Sequence, residues 1–232
     1  MSDLASLLAI TIPLSWAAAV SPVTLSIFLV IMSMTKKPRL AGLSFYMGAI
    51  VVLLITVVIG IFLGQKLSVS GHADPTTMAA IDIFLGAVLF LLGFRNIVSK
   101  DQGKNRNILN RLQVDPKTGI LRQFTKYFSI GIIAFLMNFS TAIFVLAAGR
   151  AIGVANAGLT NDTTSVLILI LITLLIIEIP LIFFILLPDK AHKILNPVND
   201  WISNHGNLVT GIFCIAIGFF VVYSGLGKLG IA

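Results

Sequence analysis

The chain is poor in charge and has a single cysteine, and both scarcities exclude classes of protein. Only 11% of its 232 residues are charged, whereas soluble domains carry about 25%. Apolar residues make up 57% of the chain, which predicts an integral membrane protein of the all-α class. Because Cys214 has no second cysteine to pair with, an intramolecular disulfide is excluded, and so is a six-helix thiol–disulfide electron carrier.

Long apolar runs divide the chain into six predicted transmembrane helices. A spanning helix needs about 20 mostly apolar residues. No stretch outside these runs is long enough for a separate soluble domain, so residues 1–232 are predicted to form one transmembrane domain. The predicted spans are Leu4–Met34, Ala41–Gly64, Met78–Ile97, Phe128–Gly149, Val166–Leu187 and Asn207–Leu226.

The positive charges lie mostly on one side of these predicted spans. Of the 16 lysines and arginines, 13 fall in or beside alternate connections and 3 in or beside the others. The protein is predicted to lie in the cytoplasmic (inner) membrane. Because cytoplasmic loops carry an excess of Lys and Arg, both of its termini are predicted to lie outside the cell. The predicted basic cytoplasmic loop, 99–127, would attract anionic membrane lipids. The net charge of +7 is therefore interpreted as a topology signal, and no nucleic-acid partner is expected.

Two halves of the chain, 1–98 and 128–232, show a weak internal repeat. The third and sixth predicted helices share the pattern Gly-x6-Gly-Phe, at Gly86–Phe94 and Gly211–Phe219. The run that begins at Pro22 aligns with the run that begins at Asn138, and both end in Ile-Phe. Because each half has three spans, the second half would be inverted relative to the first. Inverted repeats are a recurring plan in transporters.

The first predicted span, of about 31 residues, is too long to be one straight transmembrane helix. It would extend about 45 Å, whereas the hydrocarbon core is about 30 Å thick. We expect a break near Ser21-Pro22 that exposes polar groups to a cavity. A single Ser or Thr in a membrane helix usually bonds its own backbone, but the paired polar clusters together favour a substrate site. The candidate residues are Ser21, Pro22, Thr24, Asn138, Ser140 and Thr141.

Glu178 is the single glutamate and lies in the apolar fifth span, two residues before Pro180. A carboxylate at that depth is costly, and the proline removes a backbone hydrogen bond and should loosen the helix. Both residues are predicted to belong to the substrate site, with Glu178 able to couple transport to a proton. The alternative is a buried, protonated side chain that hydrogen-bonds to a neighbouring helix.

The remaining polar residues suggest no catalytic or metal site. Asp82 could be interfacial or line a cavity, and Arg95 and Arg150 are expected to extend their side chains to the headgroups. No activated serine, carboxylate pair or phosphate-binding glycine loop is found in the sequence. We therefore expect no enzymatic activity, no cofactor and no bound metal.

The ordered motifs resemble the glycolipid-addressing protein (GAP) family of the lysine exporter (LysE) superfamily. The strongest stretches are Ala19–Val23 and Lys36–Gly48, and the likeness covers nearly the whole chain. The resemblance implies six spans in two inverted halves, with the first and fourth helices meeting centrally, and export of envelope glycolipids. The family usually has an Asn-Pro-Lys-like cluster in the fourth helix, of which Asn138-Phe139-Ser140 keeps only the Asn.

The leading hypothesis is therefore a membrane exporter of a lipid or glycolipid, with membrane lipids as its surroundings and a polar lipid as its cargo. One alternative keeps the superfamily but changes the cargo to a small solute such as an amino acid or an ion. A second alternative is a membrane scaffold for envelope assembly that transports nothing. The sequence leaves open whether the chain forms a homo-oligomer.

Overall fold

The computed structural model is helical throughout the part of the chain that it describes, residues 2–35, 37–69, 75–98 and 119–229, with no strand in those ranges. In chain order the helices are α1 (Ser2–Ala19), α2 (Pro22–Met34), α3 (Pro38–Val69), α4 (Pro75–Val98), α5 (Ile120–Leu136), α6 (Phe139–Ala155), α7 (Leu159–Leu186) and α8 (Pro188–Lys228).

Four of these helices are long and apolar enough to cross a membrane by themselves: α3, α4, α7 and the second part of α8, at Leu208–Gly227. Two further spans arise if each bent pair counts as one, with α1 and α2 meeting at 54° and α5 and α6 at 76°. The described residues thus form a polytopic, all-α membrane protein with four to six spans, which confirms the predicted fold class. The orientation in the membrane and the inverted repeat stay predictions.

Most helices extend beyond the predicted spans, and the starts of α5 and α8 differ most from those predicted. Helix α5 begins at Ile120 and not at Phe128, so the end of the predicted basic loop is helical, whereas residues 99–118 lie outside the described residues. Helix α8 begins at Pro188 and not at Asn207. Proline suits a first helical turn, where its missing N–H would have no intrahelical partner. Hydropathy missed this segment because its apolar residues recur at helical spacing among polar ones: Ile194, Leu195, Val198 and Ile202.

The glycine pairs of α4 and α8 face each other, as their shared spacing suggested. A Cβ atom added to Gly86 would lie 2.7 Å from the carbonyl oxygen of Gly218, and one added to Gly93 would lie 2.7 Å from that of Gly211. The two backbones are therefore almost in contact, which is how small residues pair membrane helices. Since the glycine order reverses from one helix to the other, α4 and α8 run antiparallel.

A second glycine contact, between α3 and α6, was not predicted. An added Cβ on Gly64 would lie 2.4 Å from the carbonyl oxygen of Arg150, and one on Gly153 would lie 2.3 Å from that of Ile61. Gly60 and Gly149 approach the partner backbone in the same way. This close packing places the last turns of α6 firmly against α3, and Arg150 lies within those turns.

Candidate functional site

At each of the two helix breaks, between α1 and α2 and between α5 and α6, a polar side chain caps the N-terminus of the second helix. Pro22 lacks the N–H group that would donate a backbone hydrogen bond to a continued α1, and the chain restarts at α2 with Ser21 as its N-cap. Asn138 is the N-cap of α6, and its Oδ1 accepts a hydrogen bond from the backbone N–H of Thr141 at 3.4 Å. Ser21 Oγ accepts the equivalent bond from the N–H of Thr24, also at 3.4 Å. Both caps are of the residue types that helix N-termini prefer.

The two caps are also hydrogen-bonded to each other. The Asn138 side-chain amide lies 2.5 Å from Ser21 Oγ, 2.8 Å from Thr141 Oγ1 and 3.1 Å from Thr24 Oγ1. Ser140 Oγ donates to Asn138 Oδ1 at 3.0 Å. These five residues form one network, which we call the cap cluster: Ser21, Thr24, Asn138, Ser140 and Thr141.

The cap cluster contains every predicted site residue of the first and fourth spans except Pro22, which is the first residue of α2. The sequence alignment paired Pro22 with Asn138. In the structure the residue equivalent to Asn138 is Ser21, because each of the two is the N-cap of its helix. The expectation that a single threonine bonds its own backbone is wrong for Thr141. Its hydroxyl donates across to the carbonyl oxygen of Ala18 in α1 at 2.9 Å.

This geometry suits a polar ligand with several hydroxyl or oxyanion groups. The first N–H groups of a helix have no intrahelical partner, and the helix dipole places partial positive charge there. Here the starts of α2 and α6 meet at one cluster. Ser21, Thr24 and Thr141 are buried, whereas Asn138 and Ser140 are partly exposed. Asn138 has two amide hydrogens for three neighbouring acceptors, so at most two of these three acceptors can each receive a full hydrogen bond at one time.

Glu178 is hydrogen-bonded to a residue outside the cap cluster. Its Oε1 accepts a hydrogen bond of 2.7 Å from the hydroxyl of Tyr46 in α3, and both side chains are partly buried. Pro180 is buried within α7, which runs unbroken from Leu159 to Leu186. Within the described residues, the hydrogen bond of Glu178 therefore ties α7 to α3 and does not join the cap cluster.

A buried ion pair between Asp82 of α4 and Arg150 of α6 is a polar contact that the sequence interpretation missed. Arg150 is 8% exposed and Asp82 is 9% exposed, and Arg150 Nη1 donates to Asp82 Oδ1. The expected extension of Arg150 to the headgroups is therefore wrong. A signal was available, because charges inside membrane spans usually pair with one another, and Asp82 lies in the predicted third span while Arg150 directly follows the predicted fourth span.

Arg150 also has a donor without an acceptor. Its Nε atom is buried and has no hydrogen-bond partner among the described residues. A buried donor left unsatisfied costs about 1–3 kcal/mol. The guanidinium group is thus paired to Asp82 at one nitrogen and unsatisfied at another.

Together, the bent helix pairs and their shared cap cluster define a polytopic membrane protein whose polar side chains converge where two broken helices meet. The chain matches the family described as Sap, sulfolipid-1-addressing protein, over residues 11–227, and it belongs to that family. This confirms the resemblance to the glycolipid-addressing proteins, whereas membership of the LysE superfamily stays a prediction. No curated protein and no solved structure matches the chain.

Proposed function

We propose that this protein exports a polar lipid of the glycolipid class across or out of the cytoplasmic membrane. The observation that carries this proposal is the cap cluster, in which Asn138 joins the N-termini of two broken helices. Broken helices that present their N-termini to a ligand are a recurring feature of transporter binding sites. The description of the family as lipid-addressing favours a lipid cargo over the small amino acid or ion of the alternative hypothesis.

The proposed mechanism assigns binding to the cap cluster and movement to the two halves of the chain. Hydroxyl groups of a lipid headgroup replace the hydrogen bonds that Asn138 makes to Ser21 and Thr24. Because Ser21 and Thr24 belong to the first half and Asn138 to the second, this exchange loosens the contact between the halves. A rocking motion of one half against the other then exposes the headgroup to the opposite face. The residues of the cap cluster bind and release the cargo, and no covalent bond is made or broken.

Native mass spectrometry of the purified protein in mild detergent tests whether the cap cluster binds lipid. The wild type is expected to retain a polar lipid, and Asn138→Ala is expected to weaken retention roughly tenfold, the effect of about 1.4 kcal/mol. Asn161→Ala is the matched control, because within the described part of the chain the Asn161 amide donates to Ala157 O, four residues earlier, and not to the cap cluster. Equal retention by all three proteins would contradict the proposal and favour a scaffold that transports nothing.

We further propose that Glu178 couples export to a proton. Its carboxyl group lies in an apolar span, and Tyr46 is its hydrogen-bond partner, so a change of protonation alters a contact between α3 and α7. Glu178→Gln keeps an acceptor for the Tyr46 hydroxyl but cannot titrate. Lipid flux in reconstituted vesicles is expected to vary with pH in the wild type and to become independent of pH in Glu178→Gln. If the variant keeps the pH profile of the wild type, Glu178 has no role in proton coupling.

A further inference from the structure

The cap cluster is buried on one side and exposed on the other. At the α1–α2 break Ser21 is 4% exposed and Thr24 is 1% exposed. At the α5–α6 break Asn138 and Ser140 are partly exposed, and they are hydrogen-bonded to each other. Within the cluster, the side chains that a ligand can reach are therefore those at the α5–α6 break. Because polar groups in a membrane span usually face the protein interior, their exposure here needs a reason.

Large apolar side chains lie on both sides of Asn138 along the chain. Met137, the C-cap of α5, is 67% exposed, and Phe139, the first residue of α6, is 68% exposed. Leu136, the last residue of α5, is 59% exposed. We call Leu136, Met137 and Phe139 the rim. An exposed apolar patch beside polar groups is typical of a surface that binds an apolar or amphipathic partner.

Contacts with α3 place the rim at the depth of the hydrocarbon core. Before the break, Gly131 of α5 lies against the backbone of Phe45. After the break, Gly149 of α6 lies against the backbone of Val57. Both contacts are inside Pro38–Lys66, the apolar stretch of α3 that is long enough to cross a membrane. The break lies between these two contacts along the chain, so its exposed side chains face lipid chains and not water.

A polar centre with an apolar rim fits an amphipathic molecule. A lipid can place its headgroup on Asn138 and Ser140 while its acyl chains stay on the rim and in the surrounding bilayer. An amino acid or an ion would have to leave water and cross hydrocarbon to reach the same opening, which is costly for a charged or strongly polar group. The opening is therefore suited to a ligand that is already in the bilayer.

We propose that a lipid enters the cap cluster sideways from the bilayer, through the α5–α6 break, between the rim residues Met137 and Phe139. This inference rests on the proposed function and adds the route of entry, which the export proposal leaves open. The acyl chains remain in hydrocarbon while the headgroup moves onto Asn138. Met137 and Phe139 are positioning residues that contact the chains, whereas Asn138 and Ser140 bind the headgroup.

Photo-crosslinking at the rim tests this route. Phe139 is replaced by photoreactive benzoylphenylalanine, and the full chain is reconstituted in vesicles with equal amounts of galactosylceramide and of ceramide with the same acyl chains. Phe84 of α4 is the matched control position, because it is also a phenylalanine and also 68% exposed. Crosslinks at residue 139 are expected to favour galactosylceramide roughly fivefold, the effect of about one hydrogen bond. Crosslinks at residue 84 should show no preference.

Further variants show whether the preference depends on the cap cluster. Adding Asn138→Ala to the chain labelled at residue 139 should lower the preference to that found at residue 84. Adding Asn161→Ala should leave it unchanged, since the Asn161 amide donates to Ala157 O. Met137 is the second labelling position, in case the label at residue 139 disturbs the start of α6, and it is expected to show the same preference for galactosylceramide. A rim with a purely structural role would label both lipids equally with and without Asn138.

The outcomes separate the route of entry from the proposed function. Equal labelling of the two lipids at residues 137 and 139 would overturn sideways entry, and export through the cap cluster would still stand if lipid retention in detergent depends on Asn138. A crosslink mainly to a second copy of the chain would also overturn it, since the rim would then be a subunit interface. If neither the crosslinking preference nor the retention depends on Asn138, the route and the proposed function fail together.

Discussion

Replacing Asp82 by leucine is expected to lower the free energy of unfolding by about 3–5 kcal/mol, the cost of leaving a buried partner charge uncompensated. The reason is local, because Arg150 is 8% exposed and its Nη1 loses the carboxylate to which it donates. The measurement is a titration of the purified protein from mild into denaturing detergent, followed by the fluorescence of Trp16 and Trp201, the chain's two tryptophans.

The double variant Asp82→Leu, Arg150→Met is the control for this experiment. Exchanging a buried ion pair for apolar side chains of similar volume is often neutral or stabilising, so the second substitution should recover most of the loss. If Asp82→Leu alone is as stable as the wild type, Arg150 is solvated or paired elsewhere, and the buried pair does not hold α4 to α6.

Replacing Gly153 by alanine is expected to destabilise the protein although alanine is the better helix former. Alanine would favour the helix by about 0.5–1 kcal/mol, but its Cβ atom would lie 2.3 Å from the carbonyl oxygen of Ile61 in α3. Backbone atoms cannot move aside as a side-chain end can, and overpacking of this kind costs about 1–3 kcal/mol. The overpacking term is the larger, so a net loss of stability is expected in the same detergent titration.

Gly119→Ala is the matched control, since nothing lies within 4 Å of a Cβ atom added there and the backbone φ is −57°. Gly119 is the N-cap of α5, where alanine is less favourable than glycine, so a loss of about 1 kcal/mol or less is expected, without any overpacking. A gain in stability for Gly153→Ala, as helix propensity alone would give, would mean that α3 and α6 are further apart than described.

The sequence was most informative where composition and covalent geometry decide the structure. Apolar runs predicted the membrane class, and the excessive length of the first span together with Ser21-Pro22 predicted the break between α1 and α2. Proline alone does not end a helix here, since Pro13 and Pro180 lie inside continuous helices, so the prediction depended on span length and proline together. The polar residues of the fourth span were identified as counterparts of those in the first span, because they occur in the same order along the chain.

Contacts between distant segments were much harder to infer. The sequence does not show that Asn138 reaches Ser21, that Tyr46 donates to Glu178, or that Arg150 turns inward to Asp82. An arginine near the end of a span can extend to the headgroups or pair inside the protein, and which occurs depends on whether a carboxylate lies within reach. That depends on how the helices pack, which single-helix patterns do not specify.

The movement of lipid between leaflets is the measurement that tests the central claim most directly. Purified wild-type protein and Asn138→Ala would be reconstituted into vesicles that carry a labelled glycolipid in one leaflet, and the rate of its appearance in the other would be followed. The cap cluster predicts rapid transfer by the wild type and transfer near that of protein-free vesicles for the variant. Equal rates with the wild type, the variant and empty vesicles would contradict export through the paired helix breaks.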